Sequence, residues 1–224
     1  IEVSGVFSSC ETLATNCERN SARRSSRRTS RHSSQPPNSM VASVSPSASR
    51  RARSRLRDGG GGAEAADFVA LLVRERAESL NSQSDCERIL AELDETIASD
   101  KAAGETTAIV SIVSAEGICG ASVGDSGAWL VKGGGIDDLT LHQVRKPFLG
   151  TGAAMPVGFS RAGCNGTFLV ATDGLLKYTS REKIAATIQE AAFDAMPTAL
   201  VSLVRYSSGA LPDDVTISLC RPIK

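Results

Sequence analysis

The order of its apolar segments constrains this chain more than any other feature. Two amphipathic helical patterns come first, then a hairpin of β-branched strands and a further strand, then a second pair of helices and a last strand. Helices and strands are segregated, with no strand–helix–strand alternation, which predicts an α+β fold with antiparallel sheets. Ala65, Phe68, Val69, Leu72 and Val73 recur at three- and four-residue steps and predict a helix over 63–80. Ser84-Asp85-Cys86-Glu87 reads as a capping box opening a second helix to about Ser99, with Ile89, Leu90, Leu93 and Ile97 on one side. Thr106–Val113 and Ile118–Val123 are β-rich runs joined by Glu116-Gly117, and Ala128–Val131 follows the tight turn Gly124-Asp125-Ser126-Gly127. Residues 136–163 read as one or two strands plus a mobile loop. The run 167–172 is short, apolar and turn-bounded, the mark of a buried strand. Ser180 caps a predicted helix over 181–195, Pro197 opens another to about Tyr206, and Val215–Cys220 is the last strand.

This pattern occupies only part of the 224 residues. From Arg19 to Arg57 there are 11 arginines and no acid, and from Asp58 onward 22 acids face 14 Lys plus Arg, a net of −8. Residues 1–57, apart from a strand-like Gly5-Val6-Phe7, carry too few large apolar side chains to offset the entropy of ordering, so they read as an Arg/Ser-rich, mostly disordered arm ahead of a domain at 58–224. Such an arm is either a solvated tail or a binder of nucleic acid or an acidic partner. The six cysteines are scattered, without a Cys-x-x-Cys pair, and there are two histidines, which argues against a zinc site and for reduced, packed thiols in a cytoplasmic protein. No apolar run approaches the length of a membrane span. The opening Ile1-Glu2-Val3 lacks the features of a signal peptide, and the absence of an initial Met suits a fragment.

Four acidic turns stand out: Asp58-Gly59, Gly124-Asp125, Asp173-Gly174 and Asp213-Asp214. The first opens a helix and the others sit at predicted strand ends. Each is either an ordinary turn or a ligand. If the ends meet, the carboxylates need a cation, because clustered like charges do not all stay ionised without one. Oxygen donors without His or Cys favour Mg²⁺ or Mn²⁺.

The set resembles the metal-dependent serine/threonine protein phosphatases of type 2C (PPM-type). Asp58-Gly-Gly-Gly-Gly62 is similar to that family's Asp-Gly-x-Gly-Gly ahead of a helix, and Thr106-Thr-Ala-Ile-Val110 to its Ser/Thr-Thr-Ala strand. Ser122-Val-Gly-Asp-Ser126, Ala171-Thr-Asp-Gly-Leu175 and Asp213-Asp-Val-Thr216 resemble its remaining motifs, in order, over residues 58–220. The resemblance implies an αββα sandwich, two antiparallel sheets flanked by helix pairs. It implies two or three Mg²⁺ or Mn²⁺ ions, with Asp58 bridging two metals, the Gly59 carbonyl contributing, Asp173 and Asp213 as ligands and Asp125 at a third position. Asp213 is chosen over Asp214 as the first residue of its pair. No protein side chain is assigned as nucleophile; a metal-activated water would attack phosphoserine or phosphothreonine in a phosphoprotein substrate.

The upstream part departs from the family. No Asn-Glu-Asp segment precedes Asp58, and Glu11 and Glu18 are its replacements by position alone. The stretch Arg51-Ala-Arg-Ser-Arg-Leu-Arg57 is charged at alternate positions and makes a poor buried strand. The first strands of the sandwich are therefore expected to be missing or replaced by the arm, unless residues 8–57 are not the natural reading frame. Gly127 stands where the family has Arg, and Gly60 where many members have a His general acid. His142 is placed in a strand, Trp129 in the core, and Phe148–Gly152 in a flap or a plain loop. The expected protein is a cytoplasmic monomer acting on phosphoproteins, without membrane or nucleic-acid partners. The competing readings are a catalytically impaired relative that binds phosphoproteins, and a binder acting through the arm.

Overall fold

The computed structural model describes residues 2–4, 10–17, 39–46, 61–100, 104–114 and 116–222. Its strands are β1 (Glu2–Ser4), β2 (Cys10–Cys17), β3 (Ser39–Pro46), β4 (Thr106–Val113), β5 (Gly117–Val123), β6 (Gly127–Lys132), β7 (Gly135–Asp138), β8 (Val157–Ala162), β9 (Thr167–Ala171) and β10 (Val215–Pro222). Its helices are α1 (Gly61–Glu75), α2 (Gln83–Ser99), α3 (Asp173–Leu176), α4 (Arg181–Glu190) and α5 (Met196–Ser202). One sheet runs β1-β3-β4-β5-β8 and the other β2-β10-β9-β6-β7, and every pairing between these strands is antiparallel.

Side chains of a strand alternate between faces, and here both faces are buried. Ala108, Val110 and Ile112 of β4 join Val69, Val73, Leu90 and Leu93 in a core under α1 and α2. Their alternates Ile109 and Val113 meet Leu130, Phe168 and Val170 between the sheets. Leu169 and Ala171 of β9 and Val215, Ile217 and Leu219 of β10 turn the other way, onto Ile184, Ile188 and Leu200 of α4 and α5. The result is the expected αββα sandwich of two antiparallel sheets, four layers with three cores. Trp129 lies in the core beneath the Arg181 guanidinium, 4.5 Å from its ring centre.

The first strands are present. Three stretches of the expected arm are strands: β3 lies inside the first sheet between β1 and β4, and β2 borders β10 in the second. Register explains how weak sequence signals succeed. All eight residues of β3 pair with β4, from Ser39 opposite Val113 to Pro46 opposite Thr106, so the partner strand supplies the order. The arginine-rich stretches at 18–38 and 47–60 lie outside the described residues.

Other boundaries shift for local reasons. The first helix ends at Glu75, followed by a 3₁₀ turn at Ala77–Ser79. The second begins earlier than predicted, because Ser82 rather than Ser84 is its cap: the Ser82 side chain accepts from the Asp85 amide, and Asp85 accepts from the Asn81 amide. His142 stands in an exposed turn instead of a strand. Cys86, Cys119 and Cys164 are free thiols as expected, whereas Cys220 is disulfide-bonded. No helix among the described residues is long and apolar enough to cross a membrane.

Candidate active site

Antiparallel register brings the acidic turns to one edge. Gly127 at the start of β6 and Ile217 near the start of β10 both pair with Ala171, the last residue of β9. Asp125 precedes β6, Asp173 follows β9 and Asp213 precedes β10, so all three leave the second sheet at the same end. In the first sheet β5 finishes at Val123, opposite Ala108, and delivers the chain into the Gly124-Asp125-Ser126 turn.

Each turn is held by short-range contacts. After β9 the Thr172 hydroxyl donates to the Asp214 carbonyl (3.1 Å) and accepts from the Thr216 amide (3.0 Å), stapling the two chains that carry Asp173 and Asp213. Gly174 is buried, and a Cβ there would collide with the Asp214 carbonyl oxygen; only Gly allows this approach. The Asp214 amide donates to the Asp213 carboxylate (3.0 Å). At the other turn Gly124 has φ +101° and sits against the Thr107 side chain, whose hydroxyl lies 3.0 Å from that of Ser126. The Thr-Thr-Ala strand and the Gly-Asp-Ser turn are thus one packed unit. Gln143 adds a bond that the sequence did not reveal, donating to the Ser126 carbonyl at 2.7 Å. Gly127 has a steric reason as well, since a side chain there would press on the Leu176 methyl and the Trp129 indole nitrogen.

The carboxylates share one electric field. Burial raises the Asp173 carboxyl above its ordinary range, and the charges of Asp125 and Asp213 raise it further. Lys177, with Nζ 3.7 Å from Asp173 Oδ2, and the Gly174 amide oppose them. Of the Asp213-Asp214 pair, Asp213 is a source of this shift. Among the described residues no three His, Cys, Asp or Glu side chains close into a set able to hold an ion by themselves. Asp58 and Gly59 lie outside the described residues, directly upstream of α1. The donor chemistry fits a hard divalent cation: oxygen donors that repel one another around a half-buried carboxylate.

The upstream acids separate by register. Glu11 pairs with Arg221 at the far end of β10, while Cys17 pairs with Val215 at the site edge. Glu18, the next residue, is outside the described set. Asp94 has no signal in the sequence, because its partners are 56 to 60 residues away along the chain.

The family model for protein phosphatase 2C matches residues 14–147. Solved structures resemble the whole sandwich. RsbX in complex with magnesium is 14% identical over 100% of both chains, with a TM-score of 0.69. The catalytic domain of the serine threonine protein phosphatase PstP in complex with 2 manganese ions is 16% identical, covering 96% of this chain and 99% of that one, with a TM-score of 0.66. The serine/threonine phosphatase Stp1 from Staphylococcus aureus is 15% identical over 95% and 94%, again with a TM-score of 0.66. At such identities the structures speak for the fold. No curated protein matches the chain at a significant level.

Proposed function

This chain belongs to the protein phosphatase 2C family, and from that premise we propose that it hydrolyses phosphoserine or phosphothreonine in proteins with the help of Mg²⁺ or Mn²⁺. The observation that carries the reading is the convergence of Asp125, Asp173 and Asp213 at one sheet edge, with Asp173 destabilised in its charged form by burial and by the other two. Lys177 and the Gly174 amide offset only part of that cost, and a bound divalent cation would offset the rest.

In this reading Asp58, Asp173 and Asp213 hold the metal, the Gly59 carbonyl assists, and Asp125 serves a further ion. Magnesium or manganese bound there would neutralise phosphate charge and make water an effective nucleophile near neutral pH. The chain's own residues supply the rest. Thr172 and Gly174 fix the spacing of Asp173 and Asp213, and Thr107 with Ser126 fixes the Asp125 turn. Of the two upstream acids, Glu11 lies opposite Arg221, at the end of β10 away from the site, which argues against it as the further ligand. Magnesium and manganese in the RsbX and PstP structures support the choice of ion.

The test is release of phosphate from a phosphothreonine peptide by the purified chain, with and without Mn²⁺, with chelator, and with Asp173→Asn. The expected outcome is metal-dependent turnover that the chelator abolishes and that the variant lacks by at least about a hundredfold, of the size expected when a charged group of a site is removed. Normal turnover by Asp173→Asn would refute the site. A folded wild type that binds Mn²⁺ without turnover would make this chain a binding relative of the enzymes. That second reading has its own support in the sequence upstream of Asp58, where the family's Asn-Glu-Asp segment has no counterpart.

A further inference from the structure

We propose that Asp94 is a positioning residue, a latch that fixes the loop 147–155 and through it the Gly124-Asp125-Ser126 turn of the metal site. The proposal rests on the phosphatase reading of that site. Asp94 lies on α2, is 4% exposed, and takes no part in the carboxylate cluster. Its Oδ1 accepts from the amides of Gly150 (2.7 Å), Thr151 (3.1 Å) and Gly152 (3.2 Å), and its Oδ2 accepts from Ala154 (2.8 Å). A buried carboxylate needs this degree of satisfaction, and bonds from N–H groups to an ionised acceptor are among the stronger ones.

The loop is shaped to receive it. Gly150 (φ +95°) and Gly152 (φ +72°) adopt left-handed conformations, and a Cβ on either would press on Ile97 or Ala98, one turn along α2 from Asp94. From the latch the contacts run straight to the site. Leu149 and Thr106 exchange both backbone bonds at 3.0 Å. Phe148 stands against Gly124, with its ring 3.3 Å from where a Cβ would project. Thr107 packs on the same glycine and bonds Ser126. Apolar packing on α2 would keep the loop in place. Four directional bonds to one charged group fix its register as well, so that Phe148 bears on the residue next to Asp125.

The experiment compares wild type, Asp94→Asn and Ala154→Pro by amide hydrogen exchange of residues 147–155, calorimetric Mn²⁺ titration and phosphate release. Asp94→Asn keeps the shape and replaces an acceptor by an NH₂ group that faces donors. Ala154→Pro removes one donor from the loop side and leaves α2 intact, so it reads the latch if the Asn variant does not fold. Both should speed exchange in 147–155. Mn²⁺ affinity should fall about tenfold in Asp94→Asn and less in Ala154→Pro, as for outer residues that orient a metal site, with the KM for phosphopeptide at saturating Mn²⁺ unchanged. Faster exchange with unaltered Mn²⁺ affinity would reduce Asp94 to a structural contact and overturn the proposal, as would unaltered exchange. A wild type that binds Mn²⁺ without turnover sinks the phosphatase reading while the affinity comparison still decides the latch; a wild type that binds no Mn²⁺ sinks both.

Discussion

Asp173 is costly to the metal-free protein. Its folded-state pKa is raised, so the charged form is disfavoured in the native state, and stability is gained as pH falls through that raised value toward the unfolded value near 3.8. Asparagine imitates the protonated form at every pH. Asp173→Asn is therefore expected to raise the melting temperature of the chelator-treated protein, at about 2–4 °C for each ~1 kcal/mol of relief in a chain of this size. Added Mn²⁺ should raise the wild-type melting temperature and leave the variant unmoved; calorimetric scans with and without the ion read both. An unchanged or lowered melting temperature in chelator would show that the carboxylate cluster carries no strain. Gly174→Ala acts oppositely. The new methyl meets the Asp214 carbonyl oxygen, a backbone atom in the stapled pair of turns, so about 2–3 kcal/mol of stability should be lost. Urea unfolding checks this, and a loss below about 0.5 kcal/mol would mean that the turns part without cost.

At the scale of elements, the site depends on how strands end. Thr107 and Ser126 share a buried hydroxyl pair joining β4 to the turn after β5. Thr107→Val keeps the shape and leaves the Ser126 hydroxyl without this partner, which costs about 1–3 kcal/mol and loosens the turn that bears Asp125. The measurable outcome is a lower urea midpoint together with weaker Mn²⁺ binding; a stability loss with unchanged binding would separate the hydroxyl pair from the site. These elements were legible in the sequence because burial on both faces gave β4, β5 and β9 largely apolar or β-branched runs and gave β10 an alternation of Val, Ile and Leu with Thr, Ser and Cys. Asp125, Asp173 and Asp213 were legible because each breaks such a run at its end, and local turn chemistry is visible in one dimension. Ser82 displaced Ser84 as a cap because both fit the same short pattern and only the Asp85 bonds choose between them. Asp94 and Gln143 were not legible, since one acid among the several of α2 and one amide in a loop carry no sign of partners 56 and 17 residues away.

At the scale of the molecule, β2 and β3 decide whether the sandwich exists. Their sequences, Cys10-Glu-Thr-Leu-Ala-Thr-Asn-Cys17 and Ser39-Met-Val-Ala-Ser-Val-Ser-Pro46, are short and rich in small polar residues, flanked by arginine-rich stretches. Intrinsic preference alone does not make them strands; pairing with β10 and β4, far along the chain, does. That dependence runs both ways. Without β3 the whole of β4, from Thr106 to Val113, becomes an open edge, and without β2 so does β10 from Val215 to Pro222. Both are buried on two faces, and an uncovered edge of that kind templates association. A chain beginning at Ser47, which keeps every motif of the family resemblance, is therefore expected to be insoluble or to melt without a cooperative transition. Adding residues 1–46 in trans as a separate peptide should restore soluble material. Expression of the two forms side by side, followed by size-exclusion chromatography and thermal melting, makes the comparison. A monomeric, cooperatively melting product from Ser47 onward would show that the first strands are dispensable and that the domain begins where the acidic motifs do.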